Sequence, residues 1–419
     1  MNPFTTLIDF FFSSADRLGK TRALLLGSAL VLTVVGIAFV HSTTAPDGVD
    51  FPSKLAADQM AKAAVGLLCL LAVIAFDYRI IERAAYPIFG ALILVLGGLL
   101  IAKKASGEHL VRWIQLGFIN IQPSELMKLA LVLALARYLK FRSDIRSVAG
   151  LVGPFTLTLI PFFLIVLQPN LGTALMLPPI LMGMLFVGGA RRAHLFAALA
   201  LGALVFPAIL VANTYLPEVS ARFIKGYQVS RLTSFLQRDE ETVKTSGYQL
   251  QESLLSFRGG GVTGLGYQQG AQNNLGFLPA RHTDFIFAVI GEEWGFIGAA
   301  AVVLAYLALV VLTLRVAFRT REPFGRLVAS AIAVGFAAQG LENFGMTLGL
   351  TPITGVPLPF VSFGGSSLVA SYLALAFVLN IAYRRVRVVA SQDLNPIEEA
   401  KVILVVDEHP AGATRFPGR

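Results

Sequence analysis

Residues 23–41 read ALLLGSALVLTVVGIAFVH, an apolar run with no ionisable group before His41. A helix of about 19 residues rises close to 28 Å, nearly the thickness of a bilayer's hydrocarbon core. Nine further apolar runs follow near 59–76, 85–102, 124–139, 148–167, 171–189, 193–212, 285–316, 325–347 and 364–383. With 55% hydrophobic and 14% charged residues over 419 positions, the chain has too little polar surface to be soluble. Lipid-facing barrel strands would instead alternate in about ten-residue pieces. The expected fold is therefore all-α: a polytopic membrane protein of about ten transmembrane helices. The eighth run is overlong, and Gly291, Glu292, Glu293 and Gly295 mark where a re-entrant or tilted piece would break from the true span.

The formal charge of +9 sits at the ends of the runs rather than on a basic arm, which argues for topology over nucleic-acid binding. Lys20 and Arg22, Arg79 and Arg83, Arg137 to Arg146, Arg191 and Arg192, Arg315 to Arg326, and Arg384 to Arg387 mark one side of the membrane. The positive-inside rule makes that side cytoplasmic and puts both termini there; Lys103 and Lys104 are the exception. The expected organisation is a cytoplasmic or interfacial segment 1–22, a membrane domain 23–387, and a flexible cytoplasmic tail 388–419. Residues 2–16 read as amphipathic rather than as a signal peptide. A large extracytoplasmic loop, 213–284, joins helices 7 and 8, and its length points to a functional role. The lone Cys69 lies within an apolar run and has no intrachain disulfide partner.

Ionisable and polar groups inside or beside such runs are costly and usually face a cavity or one another. Arg112-Trp113 is followed by Gln122-Pro123-Ser124-Glu125 and then Lys128. Pro123 suits the first turn of a helix, which places Glu125 and Lys128 three apart on one face. They form either a self-neutralising pair or one wall of a polar substrate cavity. Gln168-Pro169-Asn170-Leu171-Gly172-Thr173 reads as a tight turn. At the end of the long loop, glycines 259–261, 264 and 266 precede Arg281-His282-Thr283-Asp284. Burial would raise the Asp284 pKa and the adjacent cations would lower it, so Asp284 is a candidate general base; a helix N-cap is the simpler reading. Asn343, Gly345 and the Pro- and Gly-dense stretch 354–367 predict broken backbone at membrane depth, tolerated only where protein or water satisfies it. The sequence contains no metal-ligand cluster, Walker loop or Ser-His-Asp arrangement.

In this order, Arg112-Trp113 with Gln122 to Glu125, Pro169 with Leu171 to Thr173, His282 to Phe287, and Pro357 to Ser367 resemble the SEDS family of peptidoglycan glycosyltransferases over roughly 20–387. Within it, Ile353 to Ser362 resembles RodA, the elongation member, more than FtsW, the division member. Asn170 stands where the family commonly has Asp, and Phe363 where Tyr is common.

The resemblance implies polymerisation of lipid II, the undecaprenyl diphosphate-linked disaccharide pentapeptide, on the outer face of the bacterial inner membrane. It serves cell-wall elongation and cell-shape maintenance. Asp284 would be the catalytic base. Arg112, Trp113, Gln122, Glu125, Lys128, His282 and Ser366 would bind substrate, with Arg112 and Lys128 at the leaving diphosphate. A divalent cation, magnesium or manganese, is an optional helper there. The implied partners are a class B penicillin-binding protein, a transpeptidase, and other elongation-complex proteins. Small residues on the eighth and ninth spans, Ala299, Ala300, Ala329 and Ala331, are generic candidates for lipid-facing contacts with that transpeptidase. A transporter or flippase of the same precursor is the alternative, and it would need charges along the depth of the bundle. A recruiting scaffold would tolerate loss of Asp284 and Lys128.

Overall fold

The computed structural model describes residues 17–44, 51–106, 113–116, 119–142, 144–215 and 247–393. Arg112, residues 1–16, the middle of the long loop at 216–246 and the tail from 394 lie outside the described residues.

The elements run α1 (Arg17–Thr44), α2 (Lys54–Ala75), α3 (Tyr78–Ser106), β1 (Ile114–Leu116), β2 (Ile119–Ile121), α4 (Pro123–Lys140), α5 (Val148–Leu167), α6 (Leu171–Leu175), α7 (Leu177–Gly188) and α8 (Arg192–Tyr215). After the long loop's undescribed part come α9 (Tyr248–Gly260), α10 (Ala271–Asn274), α11 (Ile286–Glu293), α12 (Gly295–Arg319), α13 (Pro323–Thr347) and α14 (Gly365–Asp393).

All ten expected spans correspond to helices, with α6–α7 and α11–α12 each filling one run. Among the described residues, eight segments are long and apolar enough to cross a membrane. The two others, α4 and α8, differ for clear reasons. α4 carries Glu125, Lys128, Arg137 and Lys140 in 18 residues, and α8 is described as an apolar helix over Arg192–Leu204 within Arg192–Tyr215.

The most enclosed helices are α13 and α14, whose apolar windows are 72% and 78% buried against 17% for peripheral α3. Without a hydrophobic force between helices in lipid, close approach depends on small residues and hydrogen bonds. α13 supplies both. The Tyr306 ring lies where a Cβ on Gly340 would sit, and its hydroxyl donates to the Phe336 carbonyl at 2.8 Å. Ala329 and Ala331 have no exposed surface and Ala299 is 6% exposed, so these three pack the core instead of facing lipid as expected. Small side chains are what lets buried helices approach.

The break in the overlong eighth run falls at Trp294, the cap between α11 and α12, where Gly295 takes a φ of +65°. The long loop is more ordered than a structureless reading suggests, since it contains α9 and α10. Its glycines explain why. Gly264 and Gly266 have positive φ, and Leu265 and Gly266 donate backbone N–H groups to the carbonyls of Glu292 and Glu293, both at 3.0 Å. That glycine string packs backbone against backbone, and these two amides are committed to protein carbonyls. α14 also continues beyond the expected membrane boundary to Asp393.

Candidate active site

Two polar clusters meet at one end of the bundle. The first is built on α4. Gln122 is the N-cap and Pro123 begins the helix, so Glu125 and Lys128 stand one turn apart. Their carboxylate and ammonium are 2.9 Å apart with side chains only 4% and 12% exposed, a geometry in which each ion depends on the other.

The Gln168–Thr173 turn belongs to the same cluster and does more than reverse the chain. Asn170 donates to the Ser124 hydroxyl at 3.0 Å and accepts from Thr173 at 3.2 Å, while Thr173 also reaches Glu125 at 3.3 Å. The signal for this was the amide-hydroxyl spacing of Asn170 and Thr173, which by sequence alone is indistinguishable from turn chemistry.

Glu125 and Lys128 border a narrow cavity of about 50 Å³ between α4, α7, α13 and α14. Leu129, Val132, Ile180, Ile332 and Phe336 make its walls mostly apolar, with Gln339 and Ser371 as further polar groups. This corrects the expectation of a polar cavity. The charge is confined to the end of α4 that adjoins the loops.

The second cluster holds Asp284. α11 starts at Ile286 with Phe285 as its N-cap, so Asp284 is not the capping residue. Instead, three consecutive carbonyls are gripped from outside: Phe363 N–H donates to His282 at 2.9 Å, the Ser362 hydroxyl to Thr283 at 2.6 Å, and the Asn343 amide to Asp284 at 2.9 Å. Asn343 reaches the Val356 carbonyl at the same distance. The Pro- and Gly-dense segment 353–364 is thereby satisfied at depth by protein, as broken backbone requires. Its fit against α1 is tight, because a Cβ on Gly36 would meet the Val361 carbonyl.

His282 departs from its expected role as a cation beside Asp284. Burial, reinforced by the Arg281 guanidinium, pushes its pKa below the ordinary 6.5, so it is neutral at pH 7. Its ring meets Phe363 edge-on, with centroids 5.7 Å apart. The cation that does approach this aromatic is Lys62 on α2, whose ammonium lies 4.4 Å from the Phe363 ring centre and pairs with Asp58. Sequence reasoning passed over Lys62 and its neighbour Gln59, which donates to the Ser362 carbonyl at 3.1 Å. The available signal was two polar residues three apart at the start of an otherwise apolar run.

Segment 353–367 joins the clusters. Gly172 packs against the Thr354 carbonyl, and the Ser366 hydroxyl donates to Asn120 at 2.7 Å while accepting from the Gln122 amide at 2.8 Å. Ser366 and Gln122 thus fasten the β1–β2 hairpin, which no sequence pattern announced, to α14. Trp113, just before that hairpin, is 46% exposed. Among the described residues no group of three or more His, Cys, Asp or Glu side chains is placed to hold a metal ion. The described carboxylates therefore do not form a protein-only metal site.

An all-helical bundle with eight described segments apolar and long enough to cross a membrane, and a broken segment holding the main chain of residues 282–284 at one end, defines a multi-pass membrane protein. The profile of the FtsW/RodA/SpoVE family, described as cell cycle proteins, matches residues 22–387, and the chain belongs to that family. It is 35% identical over 378 residues to the probable peptidoglycan glycosyltransferase FtsW of Trichlorobacter lovleyi, covering 87% of this chain and 94% of that one. It is 29% identical over 424 residues to the peptidoglycan glycosyltransferase RodA of Treponema pallidum, covering 86% and 97%. Among solved structures, it resembles a chain of a peptidoglycan synthase complex that coordinates polymerization and crosslinking, with TM-score 0.69, 29% identity and coverage of 86% and 97%. The rod shape determining protein RodA of Thermus thermophilus matches with TM-score 0.60, 28% identity and coverage of 85% and 95%.

Proposed function

We propose that this chain polymerises lipid II into glycan strands at the outer surface of the bacterial inner membrane, with Asp284 as the general base. It is a peptidoglycan glycosyltransferase, as its curated relatives are named across most of its length. The observation that carries the base assignment is the grip on the carbonyls of residues 282–284, which fixes the backbone under one carboxylate at the mouth of the bundle. Asp284 would take the proton from the acceptor sugar hydroxyl as that oxygen attacks the donor's anomeric carbon and the diphosphate leaves. Lys128, oriented by Glu125, and Arg112 would oppose the charge on the leaving diphosphate. The apolar walls beyond Lys128 suit the lipid portion of a substrate better than its sugars.

Orientation rests on the positive-inside rule, which places the Asp284 face outward and both termini in the cytoplasm. A flippase would need charged groups along its path, whereas the cavity walls beyond the Glu125–Lys128 pair are apolar, and this favours polymerisation. The partner is a class B penicillin-binding protein, a reading supported by similarity to a chain of the synthase complex. The elongation role rests on the RodA-like segment 353–362. Depletion in a rod-shaped host should round the cells; filamentation without rounding would assign the chain to division instead.

The decisive assay uses purified protein with its partner and lipid II. Replacing Asp284 by Asn should lower the polymerisation rate by about 10²–10⁴, the usual loss on removing a general base. A variant polymerising at the wild-type rate would remove Asp284 from that role.

A further inference from the structure

The end of the bundle opposite Asp284 carries a charged cleft. α4 runs about 27 Å from its Glu125 end to Arg137 and Lys140, and α13 runs from Glu322 at that far end to Asn343 beside Asp284. Between the far ends of α3, α4 and α13 lies an open cleft of about 440 Å³ lined by Arg79, Arg83, Arg137 and Lys140 together with Glu82 and Glu322.

The cations outnumber the carboxylates, and the internal contacts show which charges remain. Lys140 answers both acids, at 2.8 Å from Glu82 and 2.9 Å from Glu322. Arg137 donates to the main-chain carbonyls of Glu82 and Arg83, so it is held in place without being neutralised. Arg79 and Arg83 are exposed and form no salt bridge among the described residues. Apolar surface runs up to these charges: Phe141 is 73% exposed, Phe76 63% and Ile80 58%. Guanidinium groups next to membrane-facing apolar side chains match a ligand with phosphate at one end and acyl chains at the other.

We propose that this cleft binds the headgroup of an anionic phospholipid, with the two phosphates of diphosphatidylglycerol fitting the unneutralised guanidinium groups. The site stands independently of the glycosyltransferase reading. By the positive-inside rule it faces the cytoplasmic leaflet, where interhelical basic pockets commonly take such headgroups.

The test is native mass spectrometry of the full chain in mild detergent, titrated with diphosphatidylglycerol, with phosphatidylethanolamine, and with inorganic phosphate as competitor. Wild-type protein should retain diphosphatidylglycerol at least tenfold better than phosphatidylethanolamine, and millimolar phosphate should not displace it. R79Q/R83Q keeps the contacts of Arg137 and Lys140 and should weaken retention by about fivefold per cation, on the order of 25-fold for the pair. R79K/R83K, which keeps the charges, should stay within about threefold of wild type. Equal retention of the two lipids by wild-type protein, unchanged retention by folded R79Q/R83Q, or displacement by phosphate alone would each overturn the proposal.

Discussion

Asn343 donates its side-chain amide to the main-chain carbonyl of Asp284 at 2.9 Å from a position with no exposed surface. The same amide holds Val356, so one side chain ties the carboxylate's backbone to the re-entrant segment. Replacing it by Asp keeps the shape and removes both donors. N343D should lose about 10²-fold in polymerisation, the scale of a 1 Å misplacement of a reacting group. Melting of the purified protein should fall as well, by about 1–3 kcal/mol per abandoned acceptor. If N343D polymerised normally while melting earlier, Asn343 would be a packing residue only.

The Glu125–Lys128 pair is buried on both sides, so removing one partner strands the other. E125Q should destabilise the protein by about 3–5 kcal/mol, whereas E125Q/K128M should be much milder because no buried charge is left unpaired. Thermal unfolding of the four proteins in a double-mutant cycle gives the coupling. Activity should stay low in both variants, since Lys128 is assigned to the diphosphate.

Asn170 stands where relatives are expected to carry Asp, and its contacts are ones that either side chain can make. Its partner Ser124 has a hydroxyl that can turn from acceptor to donor, and Thr173 donates in both cases. N170D should keep polymerisation within about threefold of wild type, while N170A, which loses both bonds, should cost about 1–3 kcal/mol in stability. A steep loss in N170D would mean that the amide itself contacts substrate.

His282 titrates below its ordinary 6.5 because burial and Arg281 disfavour the imidazolium. The unfolded chain therefore takes up this proton at a higher pH than the folded chain. Stability contributed by the neutral ring is full above pH 6.5 and is lost as pH falls through the depressed folded value. Melting temperatures measured from pH 8 to pH 5 should drop more for wild type than for H282N below pH 6.5. Parallel curves would remove His282 as the source of that slope.

Much of this molecule was legible along the chain. Ten apolar runs specify ten helices because each must satisfy its backbone internally in lipid, and the charges at their ends give an expected orientation by a rule that needs no contacts. Pro123 announces the start of α4, and the spacing of Glu125 and Lys128 announces their pairing. What only the tertiary structure decided depends on residues far apart in sequence meeting. Ser362 reaches Thr283, Phe363 reaches His282, Asn343 reaches Asp284, and Gln59 and Lys62 join them from the second helix. The apolar cavity, the neutral state of His282 and the second cleft at the far ends of α3, α4 and α13 likewise arise from helix packing. Hydropathy reports how each segment meets the bilayer, but a site is made of the few side chains that different segments turn toward one another.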